Sequence, residues 1–413
     1  VDIVKENNCR ACGNELADIY YLGNIFPSGF VKDGEQPCAE NKAPLQLCKC
    51  KNCGLIQLRH TVNLDLMYRQ YWYSSSLNKS MISSLKDIVN DIESRIVLKD
   101  YDTVVDIGCN DGTLLSLYSN KNLITVGFDP ALNLKRPGCS YFYNDYFNAD
   151  GFLDLKGHTK AKVVTAVAMF YDLPDPKNFL KNVKDILSDD GLFIVQFTDL
   201  TSMIKATAFD NVCHEHLEYY RLIDVVNLLQ KNGLAAIDVS YNDVNGGSLR
   251  VVAGHSSRYV LTGTVIRALQ NEAEYLKPSI MDTFSSSIEK AKGDLDSFLN
   301  IASLLGHTVY LLGASTKGNT LLQICNVTDK KVRYAAEVNK DKFGLRTVGS
   351  NIKIISEDEA LERQPDYFIV PVWHFEKNLL TKEPIRKYIK NGGKLVFPLP
   401  TFHIIGKDDL KDD

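Results

Sequence analysis

"VVDIGCNDGTLL", residues 104–115, decides the fold of this chain. It reads as a strand, a tight glycine turn at Gly108 and Gly112, and the start of a helix. In a doubly wound sheet, such a turn takes a cofactor at the carboxyl end of the first strand. Two cofactors compete for it. A nicotinamide dinucleotide needs bare backbone N–H groups for its pyrophosphate, usually on G-x-G-x-x-G. Here Asp106 and Asp111 crowd the turn with negative charge. That charge repels a pyrophosphate and suits the cationic sulfonium and amino groups of S-adenosylmethionine. Asp129, ending the next strand in "GFDP", is placed for the ribose hydroxyls. The expected cofactor set is therefore Asp106, Gly108, Asn110, Gly112 and Asp129. A nicotinamide oxidoreductase does not suit the acidic turn.

Outward from this stretch, strands are expected at "LITVGFDP", "AKVVTAVAMF" and "GLFIVQFT". Helices flank them at "MISSLKDIVNDIESRIV", "DPKNFLKNVKDILSDDG" and "LIDVVNLLQKNG". Two more strands follow, "LAAIDVSYND" and "GGSLRVVAGH". The alternation is that of an α/β fold with a Rossmann-like, mainly parallel sheet. After a helical linker around residues 260–305, "HTVYLLGASTKGNTLLQIC" begins a second α/β unit, with later strands at "VRYAAEVN", "YFIVPVW" and "GKLVFPLP". Its glycine turn is no P-loop, because Lys317 precedes Gly318. A lysine beside exposed amides at a helix start still suits a nucleotide or diphosphate group, and a plain βα turn is the other reading.

The N-terminal segment carries "CRAC" and "CKNC". Two Cys-x-x-Cys turns present four thiolates, Cys9, Cys12, Cys50 and Cys53, which suit a structural, tetrahedral zinc. Cys48 stands close enough to compete with Cys50. The stretch between the turns is expected to form a small lobe of its own, with metal supplying folding energy that its few apolar residues do not. The expected boundaries are a zinc-binding domain over 1–80, a methyltransferase domain over 81–257 and a C-terminal α/β domain over 258–413.

The composition is that of an ordinary globular protein. Of 413 residues, 45% are hydrophobic and 24% charged, which calls for two or three domains. A formal net charge of −4 leaves no electrostatic footprint for nucleic acid. No run approaches the roughly 18–20 apolar residues of a membrane span, and "VDIVKENNCRACG" lacks a secretory core. A cytosolic protein is expected, and its ten cysteines suit metal better than disulfides.

"NVCHEHLEYY", residues 211–220, is the remaining concentration of chemistry. A zincin spaces its histidines four apart on one helix face. His214 and His216 are two apart, which argues against that metal site.

Together these motifs resemble the sugar C-methyltransferases of bacterial deoxysugar pathways. The resemblance rests on the paired cysteine turns, "MYRQYWYSSSLNKSM", "VVDIGCNDGTLL", "HEHLEYY", "NGGSLR" and "GASTKGNTLLQ", and spans essentially the whole chain. It implies a Rossmann-like class I methyltransferase domain flanked by a small N-terminal zinc-binding domain and a C-terminal Rossmann-like domain that binds a nucleotide sugar. The implied reaction is methylation of a carbon beside the keto group of a nucleotide-linked 4-keto-deoxysugar. By this resemblance His216 is the base, Glu215 orients it or holds the sugar, and Tyr73, with Tyr71, hydrogen-bonds the sugar or the developing oxyanion. Lys317 and Asn319 would face the substrate, and His214 is a bystander. Two positions depart from the family pattern. Cys213 stands where a tyrosine is usual, and Asp172 stands where a histidine is usual, which makes Asp172 a further catalytic candidate. The expected cofactors are S-adenosylmethionine and Zn2+. The expected partner is a nucleotide-sugar substrate, without nucleic acid or membrane, and the sequence leaves the oligomeric state open, a monomer being one option. The competing readings are an O-methyltransferase acting on a sugar hydroxyl, and a non-catalytic scaffold that binds S-adenosylmethionine or metal.

Overall fold

The structure is a computed structural model and describes residues 2–134, 138–156, 159–277 and 279–410. The opening stretch forms the expected strand, turn and helix. β1 (Thr103–Ile107) is buried along its length, as a parallel strand covered on both faces must be. It shares a sheet with β2 (Ile124–Phe128), β3 (Tyr141–Tyr143), β4 (Ala161–Val167), β5 (Leu187–Phe197), β6 (Leu234–Asn242) and β7 (Ser248–His255). The order across the sheet is β6-β7-β5-β4-β1-β2-β3. β1 to β5 pair in parallel, while β7 runs antiparallel to β5 and β6. This is the class I methyltransferase arrangement. Strand order reverses between β1 and β4, so a crevice opens at the carboxyl ends of these two strands.

The flanking helices have local causes. Helix Pro176–Ile186 starts with Asp175 accepting from the Asn178 N–H and with proline in its first turn. It turns Phe179, Leu180, Val183 and Ile186 into the core, a helical spacing of apolar residues. Glu272, buried in the first linker helix (Gly263–Tyr275), accepts from the N–H groups of Leu222 and Ile223. It thereby caps helix Leu222–Lys231 from outside.

The C-terminal unit has β8 (Val309–Leu312), β9 (Tyr334–Glu337), β10 (Lys353–Ser356), β11 (Tyr367–Ile369) and β12 (Lys394–Phe397). They lie in parallel in the order β12-β11-β8-β9-β10, a second Rossmann-like sheet. The second linker helix, Ile280–Leu304, buries Phe284, Ile288, Leu295 and Leu299 against it.

The N-terminal segment departs from the expectation of a lobe of its own. Strands Leu16–Ile25, Ala43–Cys50 and Ile56–Leu58 form an antiparallel sheet, but its fourth member is Glu218–Tyr219, from far along the chain. Residues Phe30–Val31 leave it to pair with Arg346–Thr347 at the edge of the C-terminal sheet. Leu45, Leu47, Ile56 and Leu58 join the core of the C-terminal unit. Cys9, Leu16, Cys50 and Leu55 join that of the methyltransferase sheet. The reason is hydrophobic: these strands carry one apolar face and too little chain to cover it, so two larger neighbours do so.

Leu47 has no exposed surface. Leu47→Ala is expected to lower the stability of the zinc-loaded protein by about 2–5 kcal/mol. The denaturation midpoint of the C-terminal unit should fall with that of the N-terminal sheet; a loss confined to the sheet would contradict the shared core.

Candidate active site and metal centre

The crevice between β1 and β4 widens into a cavity of about 340 Å³. Asp106, Gly108, Asn110 and Asp129 line it. Gly108 has φ 69°, and a Cβ there would meet the Met169 side chain at 3.0 Å, so only glycine fits. Gly112, with φ 76°, turns the chain into the short helix Thr113–Ser116. Asp106 accepts from the Thr165 hydroxyl at 2.6 Å, and burial pushes its carboxyl up to about 7. Asp129 accepts from the N–H groups of Asn110 and Ala131.

Asp111 does not serve as expected. It is buried beneath the turn and accepts from Ser74, Ser76 and Thr113. Burial works against its charge, yet those hydrogen bonds hold its carboxyl below the usual range. The carboxyl groups lining the cavity at this turn are those of Asp106 and Asp129, while Asp111 fastens the segment after Tyr73. Asn110 helps, accepting from Ser75 N–H and donating to Tyr73 carbonyl at 3.0 Å. Asn133 exchanges two bonds with the Tyr71 backbone. Tyr68, Tyr71 and Tyr73 are thereby held along one wall of the cavity.

The 211–220 stretch lies beside that wall as a turn and a short strand. His216 Nδ1 sits 2.8 Å from the Asn211 carbonyl. That contact makes Nδ1 the protonated nitrogen and leaves Nε2 with a free lone pair. Burial first, then the charge of Lys317, push the imidazole down to about 3. The Tyr171 ring packs 4.2 Å from the imidazole, centroid to centroid. His214 is turned away, its Nε2 3.1 Å from the Ala43 carbonyl. Glu215 is pushed up to about 7 by burial, against the pull of Lys317. Asp172 lines the cavity, and burial followed by Glu215 holds its carboxyl well above the usual range. Cys213 is raised for the same two reasons.

Lys317 does not line the cavity, but its charge reaches this group of side chains. Its charge acts on Asp172, Asp210, Cys213, Glu215, His216 and His374. Among the described residues its amine forms no hydrogen bond or ion pair. Asn319 is buried, and its amide is spent on the Val348 carbonyl and on Gln323. It holds helix Thr316–Ile324 in place and faces no ligand, because the side chain lies inside the helix packing. Sequence reasoning missed Tyr68, whose hydroxyl donates to the Glu215 carbonyl at 2.9 Å, and Trp373, which donates to Asp210 at 3.1 Å. "MYRQYWY" and "VPVWHF" held the aromatic signal for both.

The four expected cysteines converge, each Sγ within 4.8 Å of the others. The Cys9–Cys53 and Cys12–Cys50 separations, 3.7 and 3.4 Å, are too long for disulfides and close to the ~3.8 Å of thiolates around tetrahedral zinc. Gln57 donates to Cys9, and the Cys53 N–H to Cys50, as outer partners of thiolates do. Cys48 stays outside the cluster: its thiol donates to the Gln57 carbonyl, and burial pushes it up to about 12.

Three family models match in chain order: a zinc binding domain over residues 9–68, a methyltransferase domain over 77–239 and a C-methyltransferase C-terminal domain over 243–400. The chain is an S-adenosylmethionine-dependent methyltransferase with a zinc-binding domain. More particularly, it has the three-part build of the C-methyltransferases. It is 28% identical to the C-methyltransferase NovU of Streptomyces niveus over 417 residues, covering 98% of this chain and 99% of that one. Among solved structures, it is similar to magnesium protoporphyrin IX methyltransferase of Synechocystis PCC 6803 with bound S-adenosylmethionine. That match has 12% identity, covers 42% of this chain and 79% of the other, and has a TM-score of 0.31. A second is the 1,6-didemethyltoxoflavin-N1-methyltransferase of Burkholderia thailandensis, at 13% identity, covering 44% and 80%, with a TM-score of 0.32. Among the described residues no helix is long and apolar enough to cross a membrane.

Two outcomes follow from this geometry. Asp106→Asn removes a charge beside the cofactor, and S-adenosylmethionine binding by calorimetry should weaken about 10- to 100-fold. Unchanged affinity would remove Asp106 from the cofactor site. Cys50→Ser should abolish the tightly held zinc measured by metal analysis, whereas Cys48→Ser should retain it.

Proposed function

We propose that this enzyme methylates a carbon beside the keto group of a nucleotide-linked deoxysugar, with His216 as the base. The observation that carries this reading is the Nδ1 contact to the Asn211 carbonyl, which leaves the Nε2 lone pair as the available base. When bound, S-adenosylmethionine supplies a sulfonium methyl, and Asp106, Gly108, Asn110, Gly112 and Asp129 would hold it. Nε2 takes the proton from the substrate carbon, and the electron pair of the broken C–H bond moves onto the carbonyl oxygen as an enolate. The enolate carbon is then the nucleophile for the methyl. The imidazolium that forms is stabilised by Glu215, whose carboxylate lies beside the ring. Asp172, kept protonated by burial and by Glu215, donates a hydrogen bond to the developing oxyanion, as Tyr71 and Tyr73 do from the facing wall. Lys317 holds an oxygen of the sugar or its phosphate. Cys9, Cys12, Cys50 and Cys53 hold the zinc, a closed four-thiolate site that contributes to folding. Domain limits near 80 and 257 separate the three parts. The enzyme works in the cytoplasm, on a small-molecule partner.

The test is solvent exchange. Incubated in deuterated buffer with a nucleotide-linked 4-keto-deoxysugar, the enzyme should place deuterium at the carbon it methylates. His216→Ala should slow that exchange by about 10²- to 10⁴-fold while S-adenosylmethionine still binds. A methyl found on oxygen would overturn the carbon-directed reading. The pH profile supplies a second check. His216, pushed down to about 3, stays a free base through neutrality, so the acid limb of kcat/KM belongs to Glu215 and to Asp106 at the cofactor, both pushed up to about 7. As pH falls through 7, both take up a proton and the rate drops. In Glu215→Gln the rate should be lower and the limb shallower, leaving the Asp106 proton alone between about pH 7 and 5.

A further inference from the structure

The spacing of His214 and His216 argues against a helix-borne metal site, yet the turn they occupy builds another donor set. Cys213 Sγ, a Glu215 carboxylate oxygen and a His216 ring nitrogen lie within 4.8 Å of one another, with His214 pointing away. Donors around a tetrahedral zinc stand about 3.3–3.8 Å apart, so side-chain movement of about 1 Å closes the set. His216 is oriented as a metal-binding histidine is, its Nδ1 on a backbone carbonyl and Nε2 free. A fourth candidate donor lies outside that set. Asp172, electrostatically coupled to Glu215, has a buried Oδ1 without a hydrogen-bond partner. Mixed sulfur, nitrogen and oxygen donors select zinc over magnesium or calcium.

We propose that Cys213, Glu215 and His216 form a second, weaker site for zinc, and that occupancy there switches off the reaction. Coordination replaces the Cys213 S–H bond with an S–Zn bond and releases that proton to solvent. Glu215 and His216 bind through lone pairs. The His216 lone pair cannot hold both a cation and a substrate proton, so metal and catalysis exclude one another; this second half rests on His216 being the base. The charge of Lys317 acts on all three ligands and opposes the cation, which makes the site weaker than the four-thiolate centre.

The experiment starts from full-length protein with its first zinc bound and titrates further zinc by calorimetry. The wild type should take a second equivalent that Cys213→Ser and Glu215→Gln both lose, with S-adenosylmethionine binding retained as the check of folding. Lys317→Met should tighten it. Absence of a second equivalent in the wild type, or its persistence in both ligand variants, overturns the site. Second-equivalent zinc should also abolish deuterium exchange into the substrate. If it binds as described and exchange continues undiminished, the inhibition proposal is overturned and the base is a group other than His216, while the metal site stands.

Discussion

The 211–220 stretch has no fold of its own, and the site depends on what clamps it. The Leu58 N–H donates to the Leu217 carbonyl at 2.8 Å, and Glu218 and Tyr219 register against Gln57 and Ile56. Buried backbone groups need partners. The turn closes two bonds of its own, Cys213 N–H to Asn211 and His216 N–H to Cys213, while Leu217 is held by other segments at both its N–H and its carbonyl. The strand that holds its carbonyl belongs to the cysteine lobe. Gln57 bonds Cys9 and accepts from Arg10, and Arg10 reaches Glu218 at 3.7 Å. The four cysteines, none of which lines the cofactor cavity, are therefore tied to the position of His216 by covalent and hydrogen-bonded continuity. The Cys-x-x-Cys turns do more than fold a small domain. They hold the edge onto which the reactive turn is added.

Within that turn, burial outweighs charge. Lys317 favours ionised carboxylates, yet Glu215 and Asp172 are still raised. Removing a carboxylate from water costs more than one amine at a distance returns. The same burial keeps His216 neutral, and Lys317 reinforces it. An enclosed site with one cation and several acids thus holds a free base and a neutral acid side by side. The proposed enolate chemistry would use that pairing.

Legibility in the sequence followed the range of the contacts. The glycine turn at Gly108 and the two alternating α/β units were readable because strand, turn and helix are local patterns. So were the four cysteines, because a metal requires close spacing within each pair. Strand exchange was not readable. Phe30–Val31 and Glu218–Tyr219 are two-residue strands whose partners lie hundreds of residues away, and neither carries a period of its own. Asp111 misled for a related reason. Its charge is visible in the sequence, whereas Ser74 and Ser76, which absorb it, are brought there by a separate segment. Asn319 and Lys317 show the same limit on one helix: two residues apart, one packs inward and the other reaches the active site.

The two departures from the family pattern are not equivalent once proton counts are compared. A histidine at position 172 would offer one N–H beside Lys317. A buried Asp172 that keeps its proton offers one O–H at the same place, so the substitution preserves a donor. Cys213 has no such replacement. Tyr68, a phenol beside Glu215, already donates to the Glu215 carbonyl and has no second proton to give. On the proposed reading, the donor lost with the tyrosine comes instead from Tyr71 or Tyr73, or the substrate oxygen there does without one. Cys213 rather than Asp172 is therefore, on that reading, the departure that changes what the site offers a substrate.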